Sequence, residues 1–363
     1  MSQPIRHNPL WTLAVPPLGV AILGLSWAVP GLPGILALLV LALVGSVIAS
    51  VHHAEVIAHR VGEPFGTLVL ALAVTVIEVA LIVSMMLSGG EATSGLARDT
   101  VFAAVMIILN GLIGASLLVG GGKHFVQEFQ LEGINAALGT LTVIVVFTLI
   151  LPNFSVSASG PVYTRSQLLF VAAATLALFA AFTVFQTLRH RDYFLPAGGN
   201  DDDPDEHATQ PTNAEALTSL SLLLVALVAV VLSAKGISPS IEAALHAAGA
   251  PAATVGILIA AIVLLPESVA AIRAAHANRL QTSLNLAIGS AIASIGLTVP
   301  TVAVLSVAMG WPLALGIDMK STVLLVLTLF VVSISLRTGR TTMLPGVVHL
   351  VIFAAYLFLS FVP

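Results

Sequence analysis

Two glutamates stand where a charge is costly. Glu78 is the only charged residue between Pro64 and Gly90, and Glu267 the only one between Ala243 and Ile272. An ionisable side chain inside an apolar membrane span marks an ion or proton path by default. Low dielectric disfavours the bare carboxylate, so it holds either a proton or a cation. That competition is the physical basis of cation/proton exchange. Two carboxylates with one divalent cation are neutral, and so are two protonated acids, whereas the empty pair carries two negative charges. A carrier that reorients only when neutral would couple one divalent cation to two protons.

A hard cation such as Ca²⁺ takes roughly six to eight oxygens, more than two glutamates supply. Pro266 directly precedes Glu267 and cannot donate to the carbonyl of Ile262, which leaves an oxygen beside the carboxylate or simply kinks the helix. Asn110 and Asn285 lie in the spans after each glutamate, with Gly114 and Gly289 four residues on. They are candidate supporting ligands or interhelical hydrogen-bonders. Ser290 and Ser294 offer hydroxyls in a run of small residues. His349 reads as a structural hydrogen-bonder, and Asp318 with Lys320 as a helix start.

A second constellation repeats. Glu55-x3-His59-x2-Gly62-x-Pro64 precedes the Glu78 span, and Glu242-x3-His246-x2-Gly249-x-Pro251 precedes the Glu267 span, each position recurring 187 residues later. Glu and His four apart share a helix face. At a membrane boundary they could form the mouths of an ion path, with histidine changing charge near neutral pH.

The elements that must hold these residues are membrane helices. The chain is 58% hydrophobic and 8% charged, with a mean hydropathy of +1.07, more apolar surface than a soluble domain hides. Strand-like alternation is absent, which argues against an outer-membrane barrel. There is no cysteine, so disulfides and thiolate metal sites are excluded. Eleven spans are expected, at 10–29, 32–53, 64–88, 99–121, 133–152, 165–188, 217–235, 251–274, 280–309, 313–336 and 342–361. The first reads as an uncleaved span. Nine Lys and Arg residues flank the N-terminal side and four the other (Arg98, Arg165, Lys235 and Lys320). This places the N-terminus in the cytoplasm and the C-terminus outside.

The organisation expected is an N-terminal helix (1–31), a five-helix repeat (32–188), an acidic cytoplasmic linker (189–216) and a second five-helix repeat (217–363). The linker carries Asp192, Asp201, Asp202, Asp203, Asp205, Glu206 and Glu215, and reads as a solvated charged segment rather than a calcium sensor. An odd number of spans per repeat inserts the two with opposite topology, as in many secondary transporters. A membrane-embedded metalloenzyme is the alternative from another class, because His53-x-Glu55-x3-His59 could bind Zn²⁺. Against it, no H-E-x-x-H motif exists. The expected partners are inorganic cations and membrane lipid, with no cofactor and no nucleic acid.

These residues resemble the cation/proton exchangers of the calcium:cation antiporter superfamily, most closely the bacterial ChaA-type calcium/proton antiporters. The resemblance runs from about Ala49 to the C-terminus. It rests on Glu55 through Gly62, Gly66-Thr67-Leu68 through Val76-Ile77-Glu78-Val79, Gly121-Gly122, Gln127-Glu128-Phe129, Phe185-Gln186 with His190, Asn285 through Ser290, and Thr338-Gly339-Arg340 with Leu344 and Gly346. It implies eleven helices in the cytoplasmic membrane, with two inverted repeats around a central site and the spans at 32–53 and 217–235 as sliding gates. The family's cation-binding glutamates map onto Glu78 and Glu267, and its outer acidic and histidine positions onto Glu55 and His59. The sequence departs from the family's Gly-Asn-Ala-x before each glutamate, reading Val74-Thr75-Val76-Ile77 and Val263-Leu264-Leu265-Pro266. The first-repeat Gly-Ser pair is Ala103-Ala104. Fewer cation oxygens bring Na⁺ or K⁺ for protons in beside Ca²⁺ for protons.

Overall fold

Long runs of Leu, Val, Ile and Ala with no water to bond must close their backbone hydrogen bonds internally, and here they do so as helices. The computed structural model describes residues 8–29, 32–62, 65–89, 94–195, 210–247, 251 and 253–362. These form eleven helices: α1 (Leu10–Ala28), α2 (Ile35–Val61), α3 (Phe65–Gly89), α4 (Leu96–His124), α5 (Leu131–Phe154), α6 (Arg165–Arg189), α7 (Asn213–Ala247), α8 (Ala253–His276), α9 (Leu280–Met309), α10 (Met319–Ser335) and α11 (Met343–Phe361). Among the described residues, nine are long and apolar enough to cross a bilayer. The other two are α3, with its apolar stretch Leu72–Leu87, and the 17-residue α10. A π turn at Ile107–Leu112 interrupts α4. Two short strands, β1 (Gln127–Glu128) and β2 (Arg340–Thr341), pair antiparallel.

Several boundaries differ from the expected ones, for local reasons. α2 continues past 53 to Val61 and ends where Gly62 takes φ 74°, a positive φ that favours glycine. α7 starts at Asn213 rather than 217. Its start is a capping box in which Thr212 N–H donates to Glu215 Oε2 (2.8 Å) and Glu215 N–H to Thr212 Oγ1 (3.2 Å). Glu215 therefore belongs to a helix start, not to a free acidic linker, and Arg191–Phe194 form a 3₁₀ turn. Asp201, Asp202, Asp203, Asp205 and Glu206 lie outside the described residues. The span expected at 313–336 begins only at Met319, capped by Asp318 Oδ1 accepting from Ser321 N–H at 2.7 Å. The apolar residues before it run without helix and are tied down by Ala314 N–H to Ser94 O and Ile317 N–H to Leu149 O.

The described chain divides into two compact units, Met1–Gly89 with Asn200–Ala247 and Gly90–Gly199 with Ala248–Pro363. The division cuts across the expected repeats, since α7 joins α1–α3 while α4–α6 join α8–α11.

In the first unit α2 and α7 form the most extensive helix pair, flanked by α1 and α3. They run antiparallel. Arg60 near the end of α2 donates twice to Asn213 Oδ1 at the start of α7, at 2.9 and 2.6 Å, while Leu39 near the start of α2 lies against Gly236. Asn8 and Ser219 bond at 3.0 Å at the Asn213 end.

In the second unit α4 is the central helix, packed by α8, α9 and α11, with Met106, Ile108, Leu109, Ile113 and Leu117 fully buried. α11 meets α4 through glycines. A Cβ on Gly346 would fall 2.5 Å from Leu118 N and 2.7 Å from Gly114 O, so the two backbones touch as only small residues allow. One end of this unit gathers Lys123, Arg189, Arg191, Arg273, Arg279, Arg337 and Arg340 at helix ends, and the opposite end holds Arg98, Arg165 and Lys320.

Candidate cation-binding residues

Glu78 sits thirteen residues past the start of α3 and eleven before its end, near the middle of a span at 1.5 Å per residue. It is 3% exposed. Thr75, one turn earlier on the same face, is also buried. Sequence reasoning passed over Thr75, although its i−3 spacing from Glu78 was the signal for it. Two turns on, Ser84 Oγ meets Val231 O of α7 at 3.5 Å, so α3 carries its polar groups toward other chain segments rather than lipid.

Glu267 occupies the matching place on α8 in the other unit. It is half-buried, with Oε2 shielded from solvent. α8 stays helical through Pro266, so the proline removes one backbone donor without breaking the helix. A three-residue turn joins α8 to α9. Nine residues back from His276 is Glu267, and nine on from Leu280 is Gly289, so equal rise puts Gly289 and Ser290 level with the carboxylate. Ser294 is buried one turn further. Thr298 continues this hydroxyl stripe at the same spacing, and its Oγ1 is buried with no hydrogen-bond partner among the described residues. The i+4 recurrence in the sequence was enough to find it.

The two asparagines are both hydrogen-bonded to neighbouring segments. Asn110, fully buried in the π turn of α4, donates from Nδ2 to Thr328 Oγ1 on α10 (2.9 Å) and accepts at Oδ1 from His349 Nδ1 on α11 (3.1 Å). His349 is the structural hydrogen-bonder expected. Asn285 lies near the start of α9 and donates to Phe194 O at 2.6 Å, while Gln281 Nε2 donates to its Oδ1 at 2.9 Å. Gln281 also accepts from Gln130 N–H, and Gln127 donates to Ala275 O and Asn278. This amide network staples helix ends together.

Glu55 and His59 project into the open from the last turns of α2. Glu242 and His246 lie on the last turns of α7, but their side chains fall outside the described residues. Because α2 and α7 are antiparallel, the two motifs lie at opposite ends of the first unit. The Zn²⁺ reading does not survive. His53 points the other way, fully buried with Nε2 on Thr12 O at 3.0 Å, and the described residues hold no group of three His, Cys, Asp or Glu able to hold a metal.

A many-helix membrane protein with a carboxylate in mid-helix on each of two apolar spans has the build of a secondary transporter. The chain belongs to the family described as sodium/calcium exchanger protein, whose model matches residues 31–188 and 218–362. Over 98% of this chain and 97% of theirs, it is 46% identical to a Sinorhizobium fredii protein provisionally named as the ionic transporter y4hA, and 36% identical to the sodium-potassium/proton antiporter ChaA of Escherichia coli. Among solved structures, native YfkE matches with a TM-score of 0.74 at 17% identity, over 98% of this chain and 99% of its own. That likeness concerns the fold.

Proposed function

We propose that the protein is a secondary antiporter that exchanges Ca²⁺ for protons across the cytoplasmic membrane, with Glu78 and Glu267 as the groups that carry either. The observation that carries the reading is the pair of carboxylates at mid-helix in spans of an exchanger-family chain. They supply the two negative charges that one divalent cation or two protons neutralise. Ser290, Ser294, Thr298 and Thr75 are the hydroxyls best placed to add oxygens, and Ile262 contributes a carbonyl released by Pro266. Asn110 and Asn285 spend their amides on helix contacts and are assigned positioning roles. Support for two inverted repeats comes from the family model matching twice, and from the antiparallel α2 and α7. The cation-rich end of the second unit is assigned to the cytoplasm, following the positive-inside rule. Glu55 with His59 is assigned to the cytoplasmic mouth and Glu242 with His246 to the outer one, the two motifs lying at opposite ends of the first unit.

Exchange of Na⁺ or K⁺ for protons is the second reading. ChaA, the relative at 36% identity, is named a sodium-potassium/proton antiporter, and of the eight residues that precede the two glutamates by one to four positions only Thr75 carries a side-chain oxygen, where a calcium site would want amides and hydroxyls. Purified protein in proteoliposomes, given a set pH gradient and one cation at a time, tests both. Gradient-driven Ca²⁺ movement that a proton ionophore collapses supports the first reading. Movement of Na⁺ or K⁺ alone replaces it with the second. Uptake at full rate without a pH gradient or cation counterflow overturns both in favour of a channel.

A further inference from the structure

A cavity of about 620 Å³ opens between α10 and α11 at the cation-rich end of the second unit, and none of the candidate cation ligands lines it. Its walls are apolar: Val331 and Ile334 from α10, Leu344 and Val348 from α11. Ile334, Leu344 and Val348 are 54%, 67% and 41% exposed, so no other part of the described chain covers them. Arg340 and Thr342 stand at the rim. Among the described residues the Arg340 guanidinium makes no hydrogen bond or ion pair. Glu128 faces Arg340 across the two-stranded ladder, yet the two form no ion pair. Arg337, exposed at the end of α10, adds a second cation nearby. Val348 lies five residues into α11, about 8 Å deeper along the helix than its start.

A positive rim above an apolar groove between membrane helices matches one kind of molecule, an anion with a hydrocarbon chain. We propose that this groove holds one anionic phospholipid, its phosphate on Arg340 and the Thr342 hydroxyl and an acyl chain along Ile334, Leu344 and Val348. Arg340 rather than lysine suits the role, because its planar fork grips two phosphate oxygens at once. Arg337 strengthens the field without needing contact. The lipid would seal the α10–α11 hairpin, which β1 and β2 tie to the end of α4.

Native mass spectrometry of the intact protein, loaded with dioleoylphosphatidylglycerol or dioleoylphosphatidylcholine, reads this directly. The expected result is one retained phosphatidylglycerol per chain, held about fivefold more tightly than phosphatidylcholine, the selectivity that one cation near a membrane surface supplies. Arg340→Gln should remove most of that preference, leaving only the distant field of Arg337. Val348→Trp, which fills the groove and leaves Arg340 in place, should remove the adduct. Should Arg340→Gln fail to fold, Val348→Trp still decides, with thermal melting in phosphatidylcholine as its folding control. Equal retention of the two lipids in the wild type overturns the proposal. So does displacement of the adduct by millimolar inorganic phosphate, which would make this a free-anion site, and so does a dimer that excludes lipid, which would make a second copy the occupant.

Discussion

His349 on α11 and Asn110 on α4, far apart in sequence, meet in a buried hydrogen bond of 3.1 Å from Nδ1 to Oδ1, and the same amide donates to Thr328 on α10. Three helices are tied at one point, inside the only turn of α4 that departs from α geometry. π turns often mark places where a helix is shaped for function, and here the extra residue falls where the amide has partners on two neighbouring helices. Asn110→Ala should leave the buried Nδ1 of His349 without its partner and remove one donor from Thr328, which keeps its bond to Leu324 O, costing about 1–3 kcal/mol of stability. The check is thermal melting in detergent alongside transport. A positioning role lowers the melting temperature and leaves the apparent cation affinity of the folded fraction within about twofold, a small change on the energy scale above. A tenfold loss of affinity would instead make Asn110 a ligand.

Glu78→Gln and Glu267→Gln should each abolish exchange while the protein still inserts and melts cooperatively. The amide keeps the volume and removes both the negative charge and the exchangeable proton. Flux in proteoliposomes above about a tenth of wild type in either variant would remove that residue from the coupling step, because a lost transport carboxylate leaves nothing to neutralise.

Gly346 and Gly139 should respond with opposite signs. Adding a Cβ at Gly346 drives it into the backbone of α4, so Gly346→Ala should destabilise by about 1–3 kcal/mol, the usual cost of overpacking. At Gly139 on α5 nothing lies within 4 Å of the new methyl, and Gly139→Ala should be neutral or stabilise by up to about 1 kcal/mol. Melting temperatures of the two variants, measured side by side, check the packing of α4 on α11.

His59→Ala and His246→Ala should each shift the pH dependence of exchange, on opposite sides of the membrane. The Arg60–Asn213 hydrogen bonds fix α2 and α7 antiparallel, which separates the two motifs by the length of the pair. An imidazole can both donate and accept a proton, so its removal takes a proton-exchanging group out of each mouth. Flux in vesicles of both orientations, with pH varied on one side at a time, is the measurement. A response of both variants to pH on the same side would overturn the inverted arrangement.

The sequence alone was enough for the helices, because apolar runs near 20 residues leave the backbone no other way to satisfy its hydrogen bonds in a bilayer. It also singled out Glu78 and Glu267, since a lone charge in such a run is costly wherever the helix goes. The Glu-x3-His echo was legible too, but not that its members are the final turns of α2 and α7. Helix ends depend on caps such as Gly62 and the Thr212–Glu215 box, which composition averages hide. Residues Trp311–Ile317 are as apolar as a span yet run without helix, because their backbone groups find partners on Ser94, Pro161 and Leu149. Only the tertiary structure shows which hydrogen bonds Asn110 and Asn285 make. An amide is competent to ligate a cation or to bridge helices, and the partners that reach it, Thr328 and His349 for Asn110 and Phe194 O for Asn285, come from segments distant in sequence. The same holds for Arg340, a loop cation in the sequence that becomes the rim of a groove once α10 and α11 come together.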